Sequence, residues 1–296
     1  MTLPSSGTIT LSQIRAEFNG PTPINLEDYY RGGSYVPNSS YTSNIPTSGA
    51  ISLESFYGAA NIVPGNSGIL TTGASYTLPA TSGTSIKVLV IGGGGGGGGG
   101  SSRDQNWSWG IYGGAGGGAG GNAYNTIGVI PGSTLTFFIG SAGAAGSPRD
   151  GPYSGGNSGS SGGTTVLYYS SVAYAQASGG AGGLVSQATA ATSPGTALQG
   201  TPLLAPQSGG GSPGGNTGGV GGTSYTINTS VGASLGSILS FGNQAAAGQP
   251  NSGSQAGNGA NLGGGGGGGG NNEANNDVGC IPGNGSAGAV FIWWGY

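Results

Sequence analysis

The sequence predicts a mainly β fold: an antiparallel β-sandwich-like domain with glycine-rich loops, preceded by a small N-terminal region with short helices. Three observations indicate it. Glycine supplies 73 of 296 residues, several times the usual share of about 7%. Apolar clusters of strand length recur between the glycine tracts. Six of the 13 charged residues lie before residue 63. We therefore expect two parts, residues 1–62 and residues 63–296.

The N-terminal part contains a short motif three times. Each copy reads Ile, a small polar residue, Leu, two polar residues and then a large apolar residue. The polar second residue can cap a short helix, and Thr10 and Gln13 have the spacing of a capping box. Gly20-Pro21, Gly32-Gly33 and Gly58 then end the units. The apolar positions are Ile9, Leu11, Ile14, Ile24, Leu26, Tyr29, Ile51, Leu53 and Phe56.

These nine residues have two interpretations. They form either the core of a small helical subdomain or a docking surface for another protein. We favour docking, because three units of this size bury little surface alone. Residues 34–48 are rich in Ser, Tyr, Asn and Pro, which predicts a linker or extended arm between the second and third units.

Strands are expected where apolar residues cluster. Residues 69–78 alternate weakly. Residues 86–91 are almost all apolar, as in a strand covered on both faces. In the last strand, 289–294, alternation places Ala289, Phe291 and Trp293 on the opposite face from their neighbours.

Two turn signals predict hairpins. Pro131-Gly132 separates residues 123–130 from residues 133–140, and Ser170-Ser171 separates residues 164–169 from residues 172–177.

The glycine-rich tracts include two continuous runs, 92–100 and 263–270. Glycine loses the most conformational freedom on ordering, so a fold that retains so much of it must need its small size. Collagen is excluded because no Gly-X-Y period is present. Residues 178–222 have a composition typical of disorder. The apolar clusters argue for a folded framework.

Composition also excludes several functions. A net charge of -3 with only five Lys and Arg residues is unsuited to binding nucleic acid. The sequence has no apolar run of about 20 residues that could span a membrane. Histidine is absent, which removes His-dependent nucleophile and metal systems. We expect no enzymatic activity, no cofactor and no metal site. The first residues lack an apolar signal segment, so we expect synthesis in the cytoplasm without a signal peptide.

Two sequence patterns invite a catalytic interpretation. The run after residue 91 satisfies GxGxxG, but no helix is predicted after it to bind a pyrophosphate. The acids beyond residue 62 are Asp104, Asp150, Glu273 and Asp277, and their spacing indicates no catalytic pair. The single cysteine, Cys280, is expected to be structural.

The order of these segments resembles a known family. The segments that carry the resemblance are residues 76–79, residues 86–91 followed by polyglycine, residues 125–140 and residues 288–294. In these segments the chain resembles the glycine-rich domain of bacteriophage tail fibre and tail-tip adhesin proteins. The third N-terminal unit, residues 51–58, is similar to a segment found at the start of many phage structural proteins.

The resemblance implies polyglycine II helices packed side by side, with loops between them that contact a host receptor. Such helices have three residues per turn and no internal hydrogen bonds, so their backbone groups must bond to neighbouring helices. Between residues 178 and 262 the sequence departs from the adhesin pattern, because Ala, Ser and Gln interrupt the tracts. The expected helices are 92–100, 113–121, 155–163, 209–222 and 263–270.

The resemblance also implies location and partners. It places the chain in the virion tail, with other tail or baseplate proteins and a host cell-surface receptor, a glycan or an outer-membrane protein, as partners. A homo-oligomer is compatible with this role. The alternatives are a purely structural baseplate, tail-tip or capsid decoration protein, and an ice-binding protein.

Aromatic residues between glycine tracts are the receptor-binding candidates. They are Trp107, Trp109 and Tyr112, with Tyr153 as a second site. Exposed aromatic rings supply large contact areas at small entropic cost. The alternative is that these rings cover the glycine layer and form its core.

Overall fold

In the computed structural model, the described residues form antiparallel sheets, one α-helix and several short 3-10 helices, joined by long segments outside helices and strands. The described residues are 3–100, 113–148, 156–185, 192–206, 208–209, 217–230, 238–248, 255–269 and 281–295.

Each of the three N-terminal units contains the predicted short helix, and the first two have the predicted side-chain cap. Helix α1 (Leu11–Phe18) follows Thr10, whose side chain forms a capping box with Gln13. The second unit is a 3-10 helix, Leu26–Tyr29, capped by the Asn25 side chain. The third is a 3-10 helix, Leu53–Phe56, whose N-cap Ser52 makes no capping hydrogen bond.

The N-terminal region has a hydrophobic cluster of its own. The rings of Phe18 and Tyr29 contact Phe56 edge to face, with ring centroids 6.2 and 6.3 Å apart. The chain start closes the cluster, because Leu3 N donates to Ala59 O at 2.9 Å. Burial raises the pKa of Tyr29. The three units therefore pack against one another.

The segment 34–48 belongs to this cluster, so its prediction as a linker is wrong. Val36 and Ile45 are fully buried, and residues Ser40–Thr42 form a further 3-10 helix. The Thr42 hydroxyl donates to Pro37 O at 2.6 Å. Two apolar residues among many polar ones were enough to anchor the segment.

A four-stranded antiparallel sheet and a five-stranded antiparallel sheet follow. The first has the order β1 (Gly65–Leu70), β11 (Ala289–Trp294), β3 (Ser85–Ile91), β4 (Asn122–Gly128). The second has the order β2 (Ser75–Thr77), β5 (Thr134–Phe138), β6 (Thr165–Tyr169), β7 (Val172–Ala177), β8 (Ala197–Gln199). A smaller pair joins β9 (Tyr225–Ile227) and β10 (Leu239–Phe241).

Strands β3 and β11 are covered on both faces, which the sequence predicts for β3. On one face, Val88, Val90 and Ile292 share a cluster with Leu135 and Leu167 of the five-stranded sheet. On the other, Leu89, Ile91, Phe291 and Trp293 pack with residues of the β9–β10 pair. The two large sheets therefore share one core.

Two strand predictions are wrong. Residues 69–78 contain parts of β1 and β2, which belong to different sheets; Gly73, at φ +94°, lies between them. Residues 123–130 and 133–140 form no hairpin, because β4 pairs with β3 and β5 pairs with β2 and β6. Pro131-Gly132 makes the expected turn, with Ser133 N bonded to Ile130 O, but the turn passes the chain between sheets.

The second predicted hairpin is confirmed. Strands β6 and β7 pair antiparallel around Ser170 and Ser171, whose φ angles are +48° and +65°. Positive φ at both central residues is the geometry that matches the twist of two hairpin strands.

Candidate functional site

Glycine-rich segments alternate with the strands and bond to one another as an array. Among the described residues we number eleven of them in chain order: g1 92–100, g2 113–121, g3 140–148, g4 156–164, g5 178–185, g6 192–196, g7 217–224, g8 242–248, g9 255–260, g10 263–269 and g11 281–288.

Segment g1 donates hydrogen bonds with a period of three residues. Its N–H groups donate in turn to carbonyl oxygens of g2, g4 and g11, with N···O distances of 2.8–3.0 Å. The bonds run from Gly92, Gly95 and Gly98 to Gly121, Gly118 and Ala115; from Gly93, Gly96 and Gly99 to Gly163, Ser160 and Asn157; and from Gly94 and Gly97 to Ser286 and Gly283.

The carbonyl groups of g1 complete a ring of neighbours. They accept from g3, g5 and g10, for example from Gly143 N, Gly180 N and Gly266 N. Successive members of the ring g2, g5, g4, g3, g11 and g10 are hydrogen-bonded to each other as well. Segment g1 is thus enclosed on six sides, and its glycines are buried.

Segment g10 has a second ring of six. Its neighbours are g1, g2, g7, g8, g9 and g11. The two continuous polyglycine runs of the sequence are therefore two segments that neighbours enclose on every side. The contacts that an added Cβ atom would make explain why both segments consist of glycine. A Cβ on Gly96 would lie 2.0 Å from the Ala144 carbonyl oxygen, and one on Gly268 would lie 2.0 Å from that of Gly114.

The interrupted tracts also join the array. The glycine-rich segments described between residues 178 and 262 are g5 through g9, and their backbone groups bond to neighbouring segments. Larger residues occupy outward-facing positions there, such as Ser193 and Asn258. Segments g3, g5, g6, g8, g9 and g11 were not among the helices expected from the sequence. Interruption by Ser or Asn therefore marks a segment at the perimeter of the array, whereas the alanines of g2 are buried.

Buried polar side chains join the array to the sheets. The Thr165 hydroxyl donates to Ile91 O at 2.6 Å and accepts from Gly140 N at 2.9 Å. The Asn122 amide donates to Leu204 O at 2.7 Å and to the Tyr225 hydroxyl at 3.2 Å. That hydroxyl donates to Gly120 O at 3.0 Å. Burial raises the pKa of Tyr225 to about 12.

These residues were missed at the sequence level. Asn122 and Thr165 begin strands directly after glycine tracts and are fully buried. At that point the backbone hydrogen bonds change from those of a sheet to those of the array. Some backbone N–H and C=O groups there have no backbone partner, and the polar side chain bonds to them instead. A polar residue at a glycine-to-strand boundary is the signal that could have found them.

We call the end of the array remote from the strands the distal end. Segment g1 leaves β3 at Gly92, so Gly99 lies at this end, and neighbouring segments meet it there. The hydrogen-bonded residues that mark it are Gly98 with Ala115, Gly99 with Asn157, Asn157 with Ser147, Ala115 with Leu184, Gly114 with Gly269, and Gly218 with Gly248.

The N-terminal region meets the sheets at their opposite edge. The connection between the two parts is held on both sides: within the N-terminal region Asn61 N donates to Glu17 Oε1 at 2.8 Å, and directly after it Val63 N donates to Thr81 O at 3.1 Å. Residues of the two parts line one small recess, including Glu17 and Ile62 on one side and Thr84 and Pro131 on the other. Thr84 directly precedes β3, so this edge is the one that the glycine array does not occupy.

A family model described as a glycine-rich domain matches residues 70–295. The chain belongs to this glycine-rich domain family. No curated protein matches the chain.

The receptor-binding candidates of this glycine-rich domain protein lie outside the described residues. Trp107, Trp109 and Tyr112 fall between g1 and g2, and Tyr153 falls between g3 and g4. Among the described residues that flank them, Asn157 of g4 bonds to Gly99 of g1 and to Ser147 of g3 at the distal end.

The docking candidates divide by burial. Ile9, Ile14, Tyr29 and Phe56 lie inside the N-terminal cluster, Ile24, Leu26, Ile51 and Leu53 are partly buried against it, and Leu11 is 38% exposed. This distribution favours the alternative that the motifs form a core of their own. Docking through this set would use Leu11 and the partly buried residues.

The described residues of the glycine-rich domain protein contain no group of three or more His, Cys, Asp or Glu side chains placed to hold a metal ion. Within the same ranges, no helix is long and apolar enough to cross a membrane.

Proposed function

We propose that this protein is a bacteriophage tail fibre or tail-tip adhesin. Its N-terminal region docks to another tail or baseplate protein, and the loops of its glycine-rich domain bind a receptor on the host surface. Its role is binding, and it catalyses no reaction.

The observation that carries the proposal is the linear order of the parts. The N-terminal region contacts one edge of the sheets, the array begins at the other edge, and the array ends at the distal end. An adhesin needs one end for attachment and an opposite end for recognition, and it needs a rigid body between them.

We infer that the glycine segments are polyglycine II-type helices and that the two large sheets form a sandwich. The three-residue period of the bonds from g1 supports the helix type, which has three residues per turn and about 3.1 Å rise per residue. The core shared by the two sheets supports the sandwich. Nine residues of g1 would then hold the distal end about 28 Å from the strands.

The aromatic candidates suit a glycan or a protein receptor. Indole rings stack on sugar faces and fill pockets on protein surfaces. The stretches holding Trp107, Trp109, Tyr112 and Tyr153 connect to neighbouring segments, which supports one combined recognition surface.

Competition for host cells tests the proposal. Purified full-length protein, added before phage, is expected to block adsorption, and the variant Trp107→Ala/Trp109→Ala is expected to compete poorly. Phage carrying that double substitution should assemble and fail to adsorb. Phe138→Ala is the matched control, since it removes a 72% exposed ring on the five-stranded sheet, away from the distal end.

The outcomes separate the rivals. A purely structural baseplate, tail-tip or decoration protein would leave adsorption unchanged in the competition. An ice-binding protein would show thermal hysteresis. Unimpaired adsorption by folded Trp107→Ala/Trp109→Ala phage would contradict the assignment of these rings.

A further inference from the structure

The perimeter of the glycine array carries a set of side-chain hydrogen bonds with a common design. In each, a Ser or Asn side chain of one perimeter segment accepts from a backbone N–H of the adjacent segment. The bonds are Ala144 N to Ser160 Oγ at 2.7 Å, Ala145 N to Asn284 Oδ1 at 2.7 Å, Asn284 N to Asn258 Oδ1 at 2.9 Å, Val185 N to Ser158 Oγ at 3.2 Å and Thr196 N to Ser178 Oγ at 2.8 Å.

The donors in these bonds are backbone N–H groups that find no carbonyl partner within the array. An enclosed segment finds a carbonyl partner for its N–H groups in every direction, as g1 does. A perimeter segment has a side on which no other described segment lies. On g3, Gly143 and Gly146 donate into the array, to Gly94 O and Gly97 O, whereas Ala144 and Ala145 depend on the side chains of g4 and g11.

An uncapped perimeter is able to accept another glycine-rich segment. Backbone groups left open at the edge of a hydrogen-bonded array are a template for a further strand, as at the edges of β-sheets. Side-chain bulk gives little protection here, because residues 141–147 are all Ser, Ala or Gly. The array tolerates a methyl group at an inner contact, since Ala115 and Ala119 are fully buried in g2.

We propose that the capping Ser and Asn side chains close a self-association surface, and that without them the perimeter of one copy bonds to the perimeter of a second copy of this chain. The second copy is the matching occupant, because it presents carbonyl groups at the same three-residue period. The proposal concerns the array alone and does not depend on host binding.

The test removes three caps. Ser158→Ala/Ser160→Ala/Asn284→Ala deletes the acceptors for Val185, Ala144 and Ala145. A matched control removes two serines and one asparagine from exposed perimeter positions, Ser141→Ala/Ser161→Ala/Asn157→Ala; none of these side chains makes a hydrogen bond within the described ranges.

Sedimentation of the full-length proteins over a range of concentrations gives the first readout. The cap-less variant is expected to at least double its weight-average mass as concentration rises, while the control retains the mass of the unmodified protein. A variant that keeps Ser158 and Asn284 and carries Ser160→Thr should behave like the control, since threonine retains the hydroxyl.

Hydrogen exchange identifies the contact. The Ala144 and Ala145 amides of the cap-less variant should exchange fast when dilute and slowly in the associated form. A cap-less protein that keeps the mass of the control at every concentration would overturn the proposal. Association in which these two amides still exchange fast would also overturn it, because the copies would then meet elsewhere.

Discussion

Replacing Gly96 by alanine tests the explanation of the polyglycine runs. Gly96 lies in the middle of g1, where its N–H donates to Ser160 O at 2.9 Å and its carbonyl accepts from Gly183 N at 2.7 Å. An added Cβ would lie 2.0 Å from Ala144 O and 2.4 Å from Ala144 C. Both atoms belong to backbone that other segments hold in place, so no side-chain rotation relieves the contact.

The magnitude follows from the displacement. Ordinary contact begins near 3.4 Å, so g1 and g3 must separate locally by about 1.4 Å, the difference between 3.4 and 2.0 Å. Overpacking typically costs about 1–3 kcal/mol, and weakening the two hydrogen bonds of Gly96 costs about 0.5–1.5 kcal/mol each. The smaller entropy of an unfolded chain with alanine offsets about 0.4–1 kcal/mol. We expect a net loss of about 2–5 kcal/mol.

Denaturant unfolding, followed by the fluorescence of the core residues Trp293 and Trp294, measures this loss. Gly128→Ala is the control, because a Cβ there would meet only Thr84 O, at 3.9 Å, and its stability should stay within about 1 kcal/mol of the unmodified protein. Equal stability of Gly96→Ala and Gly128→Ala would refute the reasoning, since glycine would then not be needed for packing.

Three further predictions concern buried groups. Thr165→Val leaves Ile91 O and Gly140 N without their partner and should lower stability by about 2–4 kcal/mol; the exposed Thr136→Val is its control, and an equal effect of both would contradict the role of the hydroxyl. Phe56→Ala should cost about 3–5 kcal/mol in unfolding of the N-terminal region, and a negligible loss would show that its cluster contributes little. The raised pKa of Tyr225 means that its neutral form is favoured in the folded state, so its contribution is complete below pH 10 and is lost as pH rises towards 12, at about 1.4 kcal/mol per pH unit. Unfolding measured from pH 9 to 12 should show a shallower decline for Tyr225→Phe, and parallel curves would contradict the assignment.

The sequence predicted those elements whose causes are local. The Thr10 and Gln13 capping box, the Ser170-Ser171 turn and the burial of β3 on both faces depend on neighbouring residues or on a local apolar run alone. These features appear in the structure as expected.

The errors arose where partners distant in sequence decide the structure. Pro131-Gly132 specifies a turn, but whether the turn joins paired strands depends on β3, which is the partner of β4. The segment 34–48 looks like a linker by composition, yet Val36 and Ile45 are placed by contacts with other units. In the array, composition identified the enclosed segments and missed g3 and g11, because their glycine is needed only on the side that faces a neighbour.

The candidate site was predictable in part. Aromatic residues between glycine tracts could be selected from the sequence, and their receptor role stays a prediction. The meeting of chain ends from many segments at one distal end could not be foreseen, since it follows from hydrogen bonds such as those joining Gly99, Asn157 and Ser147.

A density map of the intact phage particle tests the central claim most directly. We predict that the N-terminal region lies against another tail or baseplate protein and that the distal end, where Gly99 and Asn157 meet, points away from the particle. A map in which the distal end is buried against a particle protein and the N-terminal region faces outward would contradict the account.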